Sequence, residues 1–202
     1  MANGRVAVVT GAGSGVGRAT ARALAERGLR VVCVGRRAAA LRETAEVIGR
    51  AAVVVPADVS HEDGVAAVRN AVAGETVATV RSVAAVRGRD RHAAYAASKA
   101  GLLGLTVNLA AELAPRVRVN CICLGAVQTP MLEQAVSDYF SGIDHAEAQQ
   151  VAVAERTRML LGMAQPADVA GSIVYLALDA GFSTGSTCAP GDGSPTCCRA
   201  DG

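Results

Sequence analysis

The sequence predicts an α/β fold in which helices cover both faces of a doubly wound parallel sheet. Short β-branched runs alternate with helical stretches along the chain. These runs are almost continuously apolar, which is typical of strands that are buried on both faces of a parallel sheet. A glycine-rich turn joins the first strand to the first helix, and glycine permits the tight connection that such a turn requires.

The alternation places each element in turn. Strands are predicted at 5–10, 29–35, 51–59, 76–80 and 117–124. Helices are predicted at 16–28, 38–49, 61–74, about 95–113 and about 166–179. We expect one Rossmann-like domain over residues 1–180, with about six strands, or five if the tail adds none. The tail, residues 181–202, is rich in glycine, proline and cysteine, which is typical of a loop.

Size and composition favour a soluble, cytoplasmic protein. The chain has 202 residues, is 51% hydrophobic and carries a net charge of +2, which gives no reason to expect nucleic acid or a membrane as partner. No apolar run approaches the roughly 18 residues of a spanning helix, and a strand-like segment begins almost at the N-terminus, without a secretory signal. The six cysteines lack the spacing of a disulfide framework or a metal site, so no metal is expected.

The segment TGAGSGVG, residues 10–17, is the first candidate binding site. Its glycines permit a tight turn and a close approach of the backbone to a phosphate, while the helix amino end offers N–H groups and a positive dipole. A simple tight turn is the alternative. The strand before it and the helix and strand after it favour dinucleotide binding. The predicted contact residues are Gly11, Gly13, Ser14, Gly15, Val16 and Gly17.

The end of the second strand indicates which nucleotide is preferred. An acidic residue there would accept hydrogen bonds from the ribose 2′-hydroxyl of NAD, but this chain has Gly35 followed by Arg36 and Arg37. Guanidinium groups without a carboxylate favour a 2′-phosphate, so the prediction is NADP, with NAD still possible. The alternative is that the two arginines only begin a solvated helix.

A tyrosine and a lysine four residues apart form the candidate catalytic pair. Tyr95 and Lys99 lie on one face of a predicted helix. An ammonium group near a phenol favours the phenolate, and such a tyrosine can exchange a proton with an alcohol or carbonyl oxygen while a cofactor exchanges hydride. Ser82, at the carboxyl end of the preceding strand, could hydrogen-bond the same oxygen. Because a tyrosine and a lysine four residues apart are common by chance, the interpretation depends on their combination with Ser82 and the glycine loop.

These motifs together resemble the short-chain dehydrogenase/reductase family over most of the chain. Ser82, Tyr95 and Lys99 fall on the family's catalytic serine, tyrosine and lysine, the last two of which also contact the cofactor. The resemblance implies that Asp58 and Val59 contact the adenine. It also implies a cofactor-binding segment after strand 117–124, formed by Gly125, Val127 and Thr129.

The chain departs from the family pattern between Asp58 and Ser82. Only 24 positions separate them, enough for one helix and one strand. The family's strand ending in Asn-Asn-Ala-Gly, and the following helix with a catalytic asparagine, have no counterpart. We therefore expect strand 76–80 to pair directly with strand 5–10, because buried backbone groups need partners. The missing helix usually forms the dimer interface, so a homo-oligomer is possible but lacks its usual contact.

The sequence therefore predicts an NADP-preferring oxidoreductase that transfers hydride between a nicotinamide cofactor and a small-molecule carbonyl or secondary alcohol. The alternative is a catalytically impaired relative that binds nucleotide or serves as an interaction protein.

Overall fold

A computed structural model describes residues 5–71, 77–82, 93–140 and 162–188. The strands in these ranges are β1 (Val6–Thr10), β2 (Arg30–Gly35), β3 (Ala52–Pro56), β4 (Val77–Ser82), β5 (Val119–Leu124) and β6 (Thr187–Cys188). The helices are α1 (Gly15–Glu26), α2 (Ala38–Ile48), α3 (Glu62–Ala71), α4 (Ala93–Leu113), α5 (Pro130–Phe140) and α6 (Pro166–Val174). A 3-10 turn (Gly49–Ala51) precedes β3, and a π-helical turn (Tyr175–Asp179) follows α6.

The first of two compact units, called unit 1, comprises residues 1–76 and 166–179. Its sheet has the order β1-β2-β3, and both pairings are parallel. The run Val31–Val34 in β2 is buried, as expected for an apolar strand between two neighbours. Helix α1 contributes Leu24 and α2 contributes Leu41 to the core, and α1 also packs against α6.

Unit 2 comprises residues 77–165 and 180–202, and its parallel sheet has the order β4-β5-β6. Every residue of β5 is buried, including Cys121 and Cys123, which pack as small apolar side chains. The register pairs Val77 with Val119 and brings Ser82 opposite Leu124 at the carboxyl ends. Helix α4 packs on β4 and β5.

The first residues of the predicted tail are anchored to β5. The buried Asn120 side chain donates to the Ser183 carbonyl at 2.8 Å and accepts from the Ser186 N–H at 3.2 Å. Arg118 donates to the Ala180 carbonyl at 2.8 Å. These bonds lead the chain into β6, so residues 187 and 188 form a short strand where composition predicted a loop. Residues 189–202 lie outside the described ranges.

The α/β class is confirmed and the described residues include six strands, but these strands form two three-stranded sheets, and the predicted pairing of β4 with β1 is wrong. In the part of the chain that the structure describes, β1 pairs with β2, β4 pairs with β5, and the two belong to different sheets. The prediction assumed that β1 is a buried central strand. Within unit 1, β1 has β2 as its parallel partner and only Val9 of its residues is buried, so the full burial that the prediction assumed is not observed.

Candidate active site

Glycine is required at three positions of the loop between β1 and α1. Gly11 and Gly15 have φ angles of 69° and 51°, in the left-handed region that favours glycine. A Cβ atom on Gly17 would overlap the carbonyl oxygen of Gly11, so the first turn of α1 crosses the loop backbone in direct contact. The loop thus has the predicted tight turn, and Gly17 lets α1 pack directly against the loop backbone.

Two side chains that the sequence interpretation did not single out hold this loop against α2. Arg18 donates to the Gly13 carbonyl at 2.7 Å, and the hydroxyl of Thr44 lies 2.8 Å from the Ala12 carbonyl oxygen. Thr44 is 1% exposed and shares the buried face of α2 with Leu41. A threonine on an otherwise apolar helix face was the available signal, because a buried hydroxyl requires a partner.

One of the two arginines predicted to bind the 2′-phosphate, Arg37, contacts the glycine loop in unit 1. The Arg37 guanidinium donates to the Ser14 hydroxyl at 3.2 Å. Gly35 ends β2, and a Cβ there would come no closer than 3.5 Å to Leu41, an ordinary contact. The structure therefore has room for an acidic side chain at position 35, although the sequence has glycine there.

The turn after β3 orients Asp58. Its carboxylate accepts from the Ser60 hydroxyl at 2.7 Å and from the Ser60 N–H at 3.0 Å. These bonds, with smaller contributions from the charges of Arg36 and His61, hold the pKa of Asp58 below its usual range. Val59, the neighbouring predicted adenine contact, is 46% exposed. Asp58 is thus an ionised acceptor near Arg36, at the carboxyl end of the sheet.

The predicted catalytic pair lies in the first two turns of α4, in unit 2. The Lys99 Nζ atom is 5.5 Å from the centre of the Tyr95 ring, and Tyr95 is 42% exposed. The Ser98 hydroxyl donates to the Tyr95 carbonyl at 2.7 Å, which secures the backbone of this turn. Ser82 is the last residue of β4. The helix therefore presents a phenol and an ammonium group together, as their spacing predicts.

The segment after β5 leads through Gly125 into α5. The Thr129 hydroxyl accepts from the Leu132 N–H at 3.3 Å, which makes Thr129 the N-cap of α5, with Pro130 at the first helical position. Val127 forms a parallel bridge with Ala164. This arrangement fixes the backbone of the predicted nicotinamide segment within unit 2.

Neither a membrane-spanning helix nor a cluster of metal ligands is found among the described residues. None of their helices has the length and apolar character needed to span a bilayer. Over the same residues, no three His, Cys, Asp or Glu side chains come together as metal ligands would.

Comparison with family models identifies the chain. The short chain dehydrogenase model matches residues 5–76, and the enoyl-(acyl carrier protein) reductase model matches residues 73–193. The protein belongs to the short-chain dehydrogenase/reductase family, a family of NAD(P)-dependent oxidoreductases, and the resemblance in the motifs is confirmed.

Individual relatives agree with this assignment. Carbonyl reductase family member 4 of Danio rerio is 30% identical, with 90% of this chain and 94% of the relative covered. The 3-ketoacyl-(acyl-carrier-protein) reductase of Brucella melitensis, solved with NADH, is 25% identical, with a TM-score of 0.80 and coverage of 96% and 99%. An actinorhodin polyketide ketoreductase solved with NADPH shares the fold at 23% identity, with a TM-score of 0.81 and coverage of 96% and 98%.

Relative lengths agree with the internal shortening. The Danio rerio alignment runs over 237 positions and takes in 90% of the 202 residues here, about 182, so about 55 positions of the relative have no counterpart in this chain. Several other curated relatives are longer still, and the chain spans 42% of their length.

Proposed function

We propose that this protein is an NADP-preferring oxidoreductase that interconverts a small-molecule carbonyl compound and the corresponding secondary alcohol. The observation that carries the proposal is the Tyr95–Lys99 pair on one exposed turn of α4, in a chain whose family transfers hydride to and from nicotinamide. The nearby charge is the feature that separates an acid–base tyrosine from an ordinary surface tyrosine.

Each residue of the proposed site has a distinct role. A bound nicotinamide nucleotide would supply or accept the hydride. The Tyr95 hydroxyl donates a proton to the carbonyl oxygen in reduction and takes it from the alcohol in oxidation. Lys99 places its ammonium group beside the Tyr95 ring and, as the family resemblance implies, holds the ribose next to the nicotinamide. Ser82 orients the substrate oxygen.

Each unit carries its own proposed nucleotide-contact residues. The loop from Gly11 to Gly17 binds the pyrophosphate through its N–H groups and the amino end of α1. Asp58 and Val59 contact the adenine, while Gly125, Val127 and Thr129 contact the nicotinamide end. These assignments are supported by the tight loop and by the capped, bridged backbone around Thr129.

The proposed preference for NADP rests on the two arginines that follow β2. Arg37 reaches the Ser14 hydroxyl across the mouth of the glycine loop, and Arg36 is near enough to Asp58 to lower its pKa. With Gly35 in place of an acidic residue, two guanidinium groups are available to a 2′-phosphate, and no carboxylate at that position competes for them.

The proposal is tested by incubating the purified chain with NADPH and a panel of aldehydes, cyclic ketones and 3-ketoacyl thioesters, and following NADPH oxidation. We expect turnover of at least one carbonyl class, and the reverse reaction with NADP and the matching alcohol. Tight NADPH binding without turnover of any panel member would favour the catalytically impaired alternative. Absence of both binding and turnover would overturn the proposed function.

A further inference from the structure

Two successive carbonyl groups of the glycine loop converge on one pair of side chains. The Thr44 hydroxyl lies 2.8 Å from the Ala12 carbonyl oxygen and 3.1 Å from that of Ala40, so Ala12 is its nearer acceptor, while the Gly13 carbonyl accepts from the Arg18 guanidinium. The two side chains are joined to each other, because Arg18 Nε donates to Thr44 Oγ1 at 3.0 Å. We call this connected group the Arg18–Thr44 clamp.

The clamp fixes the direction of the next two N–H groups. In a trans peptide, the carbonyl and the following N–H point to opposite sides. With the Ala12 and Gly13 carbonyls held at the clamp, the N–H groups of Gly13 and Ser14 are turned away from it. Within the described ranges, neither N–H donates a hydrogen bond to a protein acceptor. Successive N–H groups without acceptors are the donors that an anion requires.

The surroundings of Arg18 hold the clamp in one arrangement. Its Nη2 atom is 2.8 Å from the Glu43 carboxylate and 3.3 Å from the Ala40 carbonyl, both on α2. The charge-assisted donation from Arg18 also polarises the Thr44 hydroxyl and strengthens the bond that it makes to Ala12. The guanidinium is thus restrained on the side of α2, and the loop carbonyls are restrained with it.

We propose that Arg18 and Thr44 are positioning residues that preset the Gly13 and Ser14 N–H groups for the pyrophosphate of the dinucleotide. This inference rests on the proposed function. The clamp acts through the loop backbone, and a loop already in its binding geometry avoids the free-energy cost of ordering when the ligand arrives. Since NADPH and NADH share the pyrophosphate, the clamp contributes equally to both, unlike a residue that contacts the 2′-phosphate.

The test compares four variants of the full chain with the wild type. Thr44→Val removes the hydroxyl at nearly constant shape, and Thr44→Ser restores it. Arg18→Met removes the guanidinium. Arg22→Met is its control, because it removes the same charge one turn along α1, where Arg22 pairs only with Glu26 among the described residues. Dissociation constants for NADPH and NADH are measured by fluorescence titration, at a temperature well below every melting temperature.

We expect Thr44→Val and Arg18→Met to weaken both nucleotides by about tenfold and to leave the ratio of their affinities unchanged. Thr44→Ser and Arg22→Met should stay within about twofold of the wild type. A merely structural role would lower the melting temperature without moving either dissociation constant, and that result would overturn the inference. A loss confined to NADPH would also overturn it.

Two further outcomes separate this inference from the proposed function. If the wild type binds neither nucleotide, the proposed function fails and the clamp assignment fails with it. If the wild type binds and the clamp variants bind equally well, only the clamp assignment fails. If Thr44→Val does not fold, the Arg18→Met variant tests the clamp assignment by itself. The Arg18 side chain is 39% exposed, so its replacement leaves the buried core intact.

Discussion

The ammonium nitrogen of Lys99 lies 5.5 Å from the centre of the Tyr95 ring, one helical turn away on α4. A cation within about 6 Å of an aromatic ring is attracted to it, so the contact holds both side chains on the same exposed face. This one contact therefore fixes the orientation of the tyrosine beside the ammonium group.

Tyr95→Phe should abolish carbonyl reduction and leave nucleotide affinity nearly unchanged. The substitution removes only the hydroxyl, and general acid catalysis is worth about a hundredfold to ten-thousandfold in rate. Tyr175→Phe is the matched control, because Tyr175 is 56% exposed on the π-helical turn of unit 1 and has no assigned role. NADPH oxidation and NADPH titration provide the two readouts. Full activity in Tyr95→Phe would exclude the assigned role.

NADPH should bind more tightly than NADH, and two substitutions should change the preference in opposite ways. Arg36→Ala should remove most of it by weakening NADPH alone, since a guanidinium contact to a phosphate is lost. Gly35→Asp should favour NADH, because the nearest atom to a new Cβ is 3.5 Å away and the carboxylate can accept from a ribose hydroxyl. Titration of both nucleotides into each variant measures the ratio, and equal wild-type affinities would contradict the preference.

Gly17→Ala should destabilise the protein by about 1–3 kcal/mol and weaken nucleotide binding at least tenfold, because the added methyl group overlaps the Gly11 carbonyl. Gly171→Ala, in α6 of the same unit, meets nothing within 4 Å and should be neutral or stabilising by up to about 1 kcal/mol. Denaturant unfolding with NADPH titration checks both. A Gly17→Ala variant as stable as the wild type would show that the loop can move aside.

Asn120→Ala should lower the free energy of unfolding by about 1–3 kcal/mol, because the buried Asn120 side chain loses its hydrogen bonds to Ser183 and Ser186. Asn108→Ala is the control, since Asn108 is exposed on α4 and its amide bonds the Gly104 carbonyl one turn back. It should be neutral or slightly stabilising, because alanine has the higher helix propensity. Equal stabilities for the two variants would argue against anchoring of residues 180–188 through Asn120.

Asp179 should make stability depend on pH. Arg27 donates two hydrogen bonds to its carboxylate, at 2.6 and 3.1 Å, and holds the pKa of Asp179 below its ordinary value of 3.8. A depressed pKa stabilises the folded state above about pH 3.8, and this contribution is lost as the pH falls through the folded value. Asp179→Asn should therefore melt below the wild type at pH 7, with the difference shrinking under acid conditions. A constant difference across pH would contradict the pairing.

Much of the fold follows from local pattern. The segment 29–35 was predicted as a strand and forms β2 over Arg30–Gly35, because an uninterrupted apolar run has few alternatives to a buried parallel strand. The helix predicted near 95–113 forms α4 over Ala93–Leu113. The four-residue spacing of Tyr95 and Lys99 therefore predicted correctly that both lie on one face of a helix.

Contacts between residues that are distant in sequence could not be predicted from local pattern. Thr44 fits a helix in any setting, and nothing local indicates that its hydroxyl bonds Ala12, 32 positions earlier. Similarly, the glycine and serine content after 180 indicates a loop, and only Asn120 on β5 turns that segment into a strand partner. The failed β1–β4 pairing has the same origin, because the burial of β1 depends on tertiary packing.

Unit 1 is built from two stretches of chain, and this has a consequence for biosynthesis. The core around Leu24 on α1 is completed by Val174 and by Leu178, which are synthesised about 120 residues after the end of β3 at Pro56 (174 − 56 = 118; 178 − 56 = 122). At about 5–20 residues per second, the nascent chain waits roughly 6–24 s before α6 can cover its side of α1. Translation speed over the middle of the message, and chaperones able to shield an apolar helix for that time, should therefore determine how much of this protein matures.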